Sequence, residues 1–329
     1  MQRTPSRLTQ FTFDAIDSLR HTTSHSNTVV RVFGRVLHRV ATRLVMPRVS
    51  ANHTVDAQMY GRSMRMPAEH PLPNVLHYFP QYNRPLALAA SAIKSHSSDE
   101  NLTVIDVGAN IGETVAAIEQ FTQNVSYLCI EADQEIARLC SFNHQGNPRV
   151  QTEQCFIGEQ EGALAQLQDD GRANPSTKMM EQGSLEENGR CGRLVRLDTV
   201  ATSFAELHKG IHLIKVDTEG YDFSVLRSGA ALISRYKPAL YFEWFPDLLI
   251  GLHEQVWDGF DYLESLGYHH FVFFASQGDY YCHLSRPDHF TLRSLASAAS
   301  QNKTLLYFDV FASIDEAVCK SLVELTLTR

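Results

Sequence analysis

Several features that would settle the class of this chain at once are missing from it. No run approaches the about 18 consecutive apolar residues that a membrane-spanning helix needs. The opening MQRTPSRLTQFTFD has no apolar core of the kind a secretory signal carries, so a cytoplasmic location is expected. Basic residues are not in surplus. Lys and Arg number 29 against 37 Asp and Glu, a formal net charge of −8, which argues against a nucleic-acid partner. Cysteine is sparse, at 6, and no CxxC pair occurs, so the spacing suggests no zinc site. Cys129, Cys155 and Cys282 sit in apolar, strand-like runs and read as reduced core or near-core residues. Two phosphate-binding signatures are absent as well: there is no GxGxxG fingerprint and no GxxxxGK[ST] loop.

What remains is an ordinary globular composition, 43% hydrophobic and 20% charged, able to bury a real core. Three segments are distinguishable: an extension over 1–50, a hairpin-and-helix cap over 51–100, and a main domain over 101–329. The extension is rich in Arg, Ser, Thr and His. Within it Arg31, Arg35, Arg39 and Arg43 recur every fourth residue, with Val29, Val32, Phe33, Val36, Val40 and Leu44 on a different face. That is a basic amphipathic helix. One reading lays residues 29–48 on the inner membrane surface as a peripheral contact. The other packs the helix on its own domain, or on a second subunit in a homo-oligomer. TVDAQMYGRSMRMP reads as a β-hairpin, two short alternating runs around Tyr60-Gly61-Arg62, and RPLALAASAIKSH as a helix.

From residue 103 the pattern alternates. TVIDVGA, VSYLCIEAD, VQTEQCFIGE, HLIKVDTE, PALYFEWFP, HHFVFFAS and KTLLYFDVFAS read as strands, with helical segments between many of them. This alternation predicts an α/β fold with a mostly parallel sheet and helices on both faces. The stretch 160–193 is polar and Gly-rich and reads as a long loop, a candidate lid.

The first strand runs into VIDVGANIGET. Its short glycine turn lets a ligand approach the backbone without a phosphate cradle. The second strand ends at Glu131, an acid placed to accept hydrogen bonds from a ribose diol. These residues suit S-adenosylmethionine; an NAD variant and a plain αβ turn stay open on this ground alone.

VIDVGANIGET, YLCIEAD with Asn143 following, VRLDTV, LIKVDTEGYDFSVLRSG and PALYFEWFP, in that order and spacing, resemble the FkbM family of methyltransferases. The likeness runs from about residue 55 to 312. It implies a Rossmann-like class I methyltransferase fold with a seven-stranded sheet. It also implies S-adenosylmethionine held by Asp106, Gly108, Asn110 and Gly112, with Glu131 on the ribose, adenine near Phe156 and Ile157, and Tyr82 closing over the cofactor. The expected activity is O-methylation of a hydroxyl on a sugar of a polysaccharide, glycolipid or natural product, the acceptor being a small molecule or a glycan.

Removing a proton from a sugar hydroxyl takes a base or a metal. Asp217, at the end of HLIKVD, is the first choice for the base and Glu219 the second, with Glu243 able to share the site. Lys215, Asp217 and Glu219 fall on one face if the strand continues that far. The three acids Asp217, Glu219 and Glu243 are equally a candidate site for magnesium or another divalent cation. His70 and His253 are candidate bases on the acceptor side. The alternatives are a non-catalytic Rossmann-like scaffold or binding module, and an N-methyltransferase.

Overall fold

Long apolar runs punctuated by glycine and acids become the strands of a central sheet. The structure, a computed structural model, describes residues 7–23, 53–168, 176–179, 190–251, 255–301 and 307–328. It divides into two units, Met1–Pro80 and Gln81–Arg329.

In the first unit, helix α1 (Arg7–Thr23) buries Phe13 and Ile16. Its Gln10 side chain binds the Asp56 backbone in both directions, at 2.9 and 3.0 Å. Asp56 lies on β1 (Thr54–Met59), which pairs antiparallel with β2 (Arg62–Pro67). The turn residues Tyr60 and Gly61 both have positive φ, 51° and 75°, as a two-residue hairpin turn matched to strand twist requires. The hairpin is the one expected. Helix α2 (Leu72–Tyr78) ends the unit. The basic helix expected over 29–48 lies outside the described residues.

The second unit opens with α3 (Arg84–His96), then β3 (Leu102–Val107), α4 (Glu113–Ile118), β4 (Val125–Glu131), α5 (Gln134–Asn143) and β5 (Val150–Gln154). The run VQTEQCFIGE, expected as one strand, breaks at Cys155. Beyond it β6 (Phe156–Ile157) leaves the main sheet and joins β7 (Leu164–Gln168), β8 (Ser176–Met179) and β9 (Cys191–Val195) in a sheet of order β6-β9-β7-β8. The long loop expected over 160–193 therefore carries strands. Phe156, Ala165, Leu167 and Leu194 give that small sheet its own apolar cluster. The chain continues through α6 (Leu197–Leu207), β10 (Leu213–Val216), α7 (Asp222–Ser228), α8 (Ala230–Tyr236), β11 (Ala239–Trp244), α9 (Pro246–Gly251) and α10 (Asp258–Ser265). It closes with β12 (His270–Ala275), β13 (Tyr280–Ser285), α11 (His289–Gln301), β14 (Phe308–Ser313) and α12 (Glu316–Leu327).

The main sheet has eight strands in the order β5-β4-β3-β10-β11-β14-β12-β13. The first five are mutually parallel; β14 runs antiparallel to β11, β12 antiparallel to β14, and β13 antiparallel to β12. This is the Rossmann-like class I methyltransferase fold, with one strand more than the seven expected. The addition is β13, an edge strand in a segment that showed no clear alternation. Helices cover both faces. Ile105, Ile130, Val216, Phe242 and Trp244 pack on one side with α6, α7, α8, α10 and α11. Val104, Cys129, Leu213, Tyr241 and Phe311 pack on the other with α3, α4 and α12.

The strand order reverses between β3 and β10. The chain builds outward from β3 to β4 and β5, then returns to lay β10 on the other side of β3. In open α/β sheets the crevice beyond the carboxyl ends at such a reversal is where ligands bind. Cys129, Cys140, Cys155, Cys282 and Cys319 are free thiols. Among the described residues no helix is long and apolar enough to cross a membrane.

Candidate active site

The register of the sheet lines up the chemistry. Asp106 on β3 is the partner of Lys215 on β10, and Lys215 of Tyr241 on β11. One step further toward the carboxyl ends on the same face comes Glu243, paired across to Asp309 on β14. Glu131, two residues beyond Cys129 on β4, shares that face, because Cys129 is the partner of Asp106.

Lys215 is the hub. Its Nζ lies 3.0 Å from Asp106 Oδ1 and 3.6 Å from Asp217 Oδ2, and donates to the Gly108 carbonyl at 2.9 Å. Burial alone would push the lysine down. The charges of Asp106, Asp217 and Glu113 outweigh it and hold the ammonium well above its ordinary value. Asp106, the acid expected to meet the cofactor, is 0% exposed beside this ion pair. The Asp217 side chain is 42% exposed, at the mouth of the reversal crevice.

The loop between β3 and α4 is held by the protein itself. Gly108 has φ of 74°, and a Cβ there would run into the Asp217 carbonyl oxygen. The glycine is thus needed for two loops to meet, before any ligand is considered. Gly112 (φ 84°) is pressed against His144 at the end of α5, whose Nε2 lies 2.8 Å from the Gly112 carbonyl oxygen. Asn110 has a left-handed φ of 49°; its N–H donates to Glu131 Oε2 at 2.9 Å and its Nδ2 to Glu113 Oε1 at 3.2 Å. Glu131 also accepts from the Asp133 N–H at 2.9 Å. Two backbone donors fix this carboxylate and leave it lone pairs for further donors. Phe156 and Ile157 are both buried, Phe156 in the cluster of the small sheet and Ile157 in the main core.

Beyond Asp217 the strand does not continue. Glu219 and Gly220 are both left-handed, φ 51° and 95°, and the chain turns into α7. The expected alternation of Lys215, Asp217 and Glu219 therefore stops at Asp217. Asp222 at the start of α7 anchors the turn: its carboxylate accepts from the Glu243 N–H at 3.0 Å and the Thr218 hydroxyl at 3.2 Å. Burial, reinforced by the charge of Asp217, pushes Asp222 up to about 8.

Glu243 is 8% exposed, and its Oε2 is buried with no hydrogen-bond partner among the described residues. Burial, then the charges of Asp217, Glu219, Asp222 and Asp309, push it well above the usual carboxylate range. Asp309 is pushed up in the same way, by burial first and Asp217 next. Three phenols feel the same field. Tyr82 is raised by burial and by Asp217, Asp309, Glu113 and Glu243; Tyr307 by burial and by Tyr82, Glu243, Asp309 and Asp217; Tyr241 by burial and by Asp309, Tyr82 and Asp217. Tyr82 thus stands with the acids, and its backbone is clamped by the β12–β13 turn. A Cβ on Gly278 would strike the Gln81 carbonyl, with the Tyr82 carbonyl at 3.1 Å.

Asp309, Tyr307 and Glu113 escape a motif-based reading. Asp309 had a signal, an acid inside the aromatic strand FDVF, and Glu113 another, an acid directly after the glycine loop. Trp244 is core: it is fully buried on the opposite face of β11 from Glu243. His70 stands in the first unit, where its Nδ1 accepts from the Leu72 N–H at 3.2 Å. His253 lies outside the described residues. Among the described residues no three His, Cys, Asp or Glu side chains gather as ligands of one ion, so Asp217, Glu219 and Glu243 are not arranged as a metal site.

Residues 106–269 match the model of the methyltransferase FkbM domain. No curated protein matches the chain. Among solved structures it is similar to a methyltransferase FkbM from Methylobacillus flagellatus KT, at 16% identity and a TM-score of 0.36, over 74% of this chain and 56% of that one. It is also similar to a human methyltransferase 10 domain containing protein, at 11% identity and a TM-score of 0.40, over 78% of this chain and 91% of that one. A third likeness is to a SAM-dependent methyltransferase from Geobacter sulfurreducens in complex with S-adenosyl-L-homocysteine, at 11% identity and a TM-score of 0.35, over 70% and 89%. The chain spans little more than half the length of the Methylobacillus structure. Through the domain at 106–269, which holds the glycine loop, Glu131, Lys215, Asp217 and Glu243, the chain belongs to the FkbM methyltransferases.

Proposed function

We propose that this chain uses S-adenosylmethionine to methylate a hydroxyl group, with a sugar as acceptor and Asp217 as the base. The observation that carries the reading is the placement of Asp217: its backbone carbonyl meets the Gly108 loop, and its half-exposed carboxylate stands at the sheet reversal, backed by Lys215.

The residues fit the cofactor. The described polar face holds Asp106, Glu113, Asp217, Glu243 and Asp309 around one buried cation, Lys215. Glu113 Oε2 and Glu243 Oε2 are buried without partners, and such atoms call for a ligand that donates or carries positive charge. S-adenosylmethionine is a sulfonium cation with a ribose diol, and when bound it supplies an electrophilic methyl group. Glu131 would accept from the diol, and the 108–112 backbone would lie under the ligand. Phe156 and Ile157 would contribute shape from beneath.

Methyl transfer asks the protein to hold the acceptor oxygen in line and to take its proton. Asp217 is the exposed carboxylate for that proton. Lys215, 3.6 Å away, holds it in place. Tyr82, Tyr241 and Tyr307, beside Glu243 and Asp309, offer hydroxyl and carboxyl groups to neighbouring hydroxyls of a polyol, which favours an oxygen-rich acceptor.

The test uses methyl-labelled S-adenosylmethionine with neutral glycans and amine-bearing glycans as acceptors. Label recovered as a base-stable methyl ether is expected. Asp217→Asn should bind the cofactor normally and lose about 100-fold or more in turnover. Transfer to amines alone, or full activity in the Asn variant, would overturn the reading.

A further inference from the structure

Glu113 opens α4 directly after the glycine loop. Its Oε1 accepts from Asn110 Nδ2, and its Oε2 is buried with no partner among the described residues. Lys215 is near enough to pull on Glu113 electrostatically. That ammonium donates to the Gly108 carbonyl and lies 3.0 and 3.6 Å from the carboxylates of Asp106 and Asp217. Burial pushes Glu113 up to about 8 even though Lys215 pulls it down, and the like charges of Asp106 and Asp217 add to the rise. A cation with N–H donors placed on Oε2 would satisfy the atom and relieve the field.

The loop sets where such a cation comes from. Asn110 donates through its backbone to Glu131 and through its side chain to Glu113, so the two carboxylates flank the same residue. With the ribose on Glu131 and the reacting methyl toward Asp217, the remaining arm of the ligand is the amino-acid end. Asp106, the acid just before the loop, is 0% exposed and already paired with Lys215 at 3.0 Å.

Resting on the methyltransferase reading, we propose that Glu113 is the carboxylate that receives the α-ammonium of S-adenosylmethionine.

The test is calorimetric titration of the wild-type chain and Glu113→Gln with three probes. These are S-adenosylmethionine, S-adenosylhomocysteine and 5′-methylthioadenosine, the last of which keeps the nucleoside and sulfur but lacks the amino-acid arm. In Glu113→Gln the first two should weaken by about ten- to hundredfold, the loss of a charged hydrogen bond, while 5′-methylthioadenosine binds as before and so reports an intact loop. The wild type should also release more protons on binding S-adenosylmethionine at pH 7 than the variant does, read from titrations in buffers of different ionisation enthalpy. Equal weakening of all three probes, or of none, would overturn the assignment while leaving the cofactor reading standing. Failure of the wild type to bind S-adenosylmethionine would overturn both.

Discussion

Lys215 shows how much one side chain can carry. It neutralises a carboxylate with no access to water, steadies a second at the crevice, and ties down the Gly108 carbonyl. Removing one partner of a buried pair leaves an uncompensated charge, so Lys215→Met should destabilise the chain by about 3–5 kcal/mol, measured by denaturant unfolding. A loss under about 1 kcal/mol would mean that Asp106 is satisfied without it. Asp222→Ala removes the acceptor of the Glu243 and Thr218 N–H groups and should cost about 2–3 kcal/mol in the same measurement. Glu113 and Asp222 also set a pH dependence. Burial raises both to about 8 from ordinary values of 4.5 and 3.8, so between these limits the folded state binds more protons than the unfolded one. Their contribution to stability is complete below the ordinary values and is lost as pH rises through about 8. The melting temperature of the ligand-free protein should therefore fall from about pH 5 to about pH 9, and fall less steeply in Glu113→Gln. A flat or rising profile would contradict the burial of these acids as the cause of their raised values.

At the level of elements, register does the assembling. Parallel pairing of β3, β10 and β11 brings Asp106, Lys215 and Tyr241 into one row, and antiparallel β14 adds Asp309 opposite Glu243. Much of this was legible in the sequence, because an acid or lysine inside an apolar strand declares its face through the period of two. Asp217 was legible for the same reason. Glu219 was not: a left-handed turn at Glu219-Gly220 ends the alternation, and residue type alone does not mark where a strand gives out. Cys282 marked a strand-like run, but DYYCHLS, with one side at the sheet edge, has no clean pattern and β13 was not counted in the sheet, while the small sheet inside 160–193 was hidden by its polar composition. The glycines also serve neighbours that the sequence did not show. Gly108 and Gly112 make room for Asp217 and His144, contacts far away in sequence. Gly278 is a similar case: Gly278→Ala, strained at φ 90° and colliding with the Gln81 carbonyl, should displace Tyr82 and weaken cofactor binding without touching a site residue. Unchanged binding in that variant would show that the β12–β13 turn does not hold Tyr82.

Over the whole molecule, charge and topology agree. The sheet reversal opens a crevice where loop carboxylates outnumber the single buried lysine, and this local excess matches the net charge of −8 for the full chain. Such a field favours a cationic cofactor and an uncharged, hydroxyl-bearing acceptor over an anionic dinucleotide. The central claim is that the crevice at Gly108 and Asp217 binds S-adenosylmethionine. The most direct measurement is equilibrium titration of the purified chain with S-adenosylmethionine and, separately, with NAD. Saturable micromolar binding of the first and none of the second is the expected result. Binding of NAD in place of S-adenosylmethionine would contradict the claim.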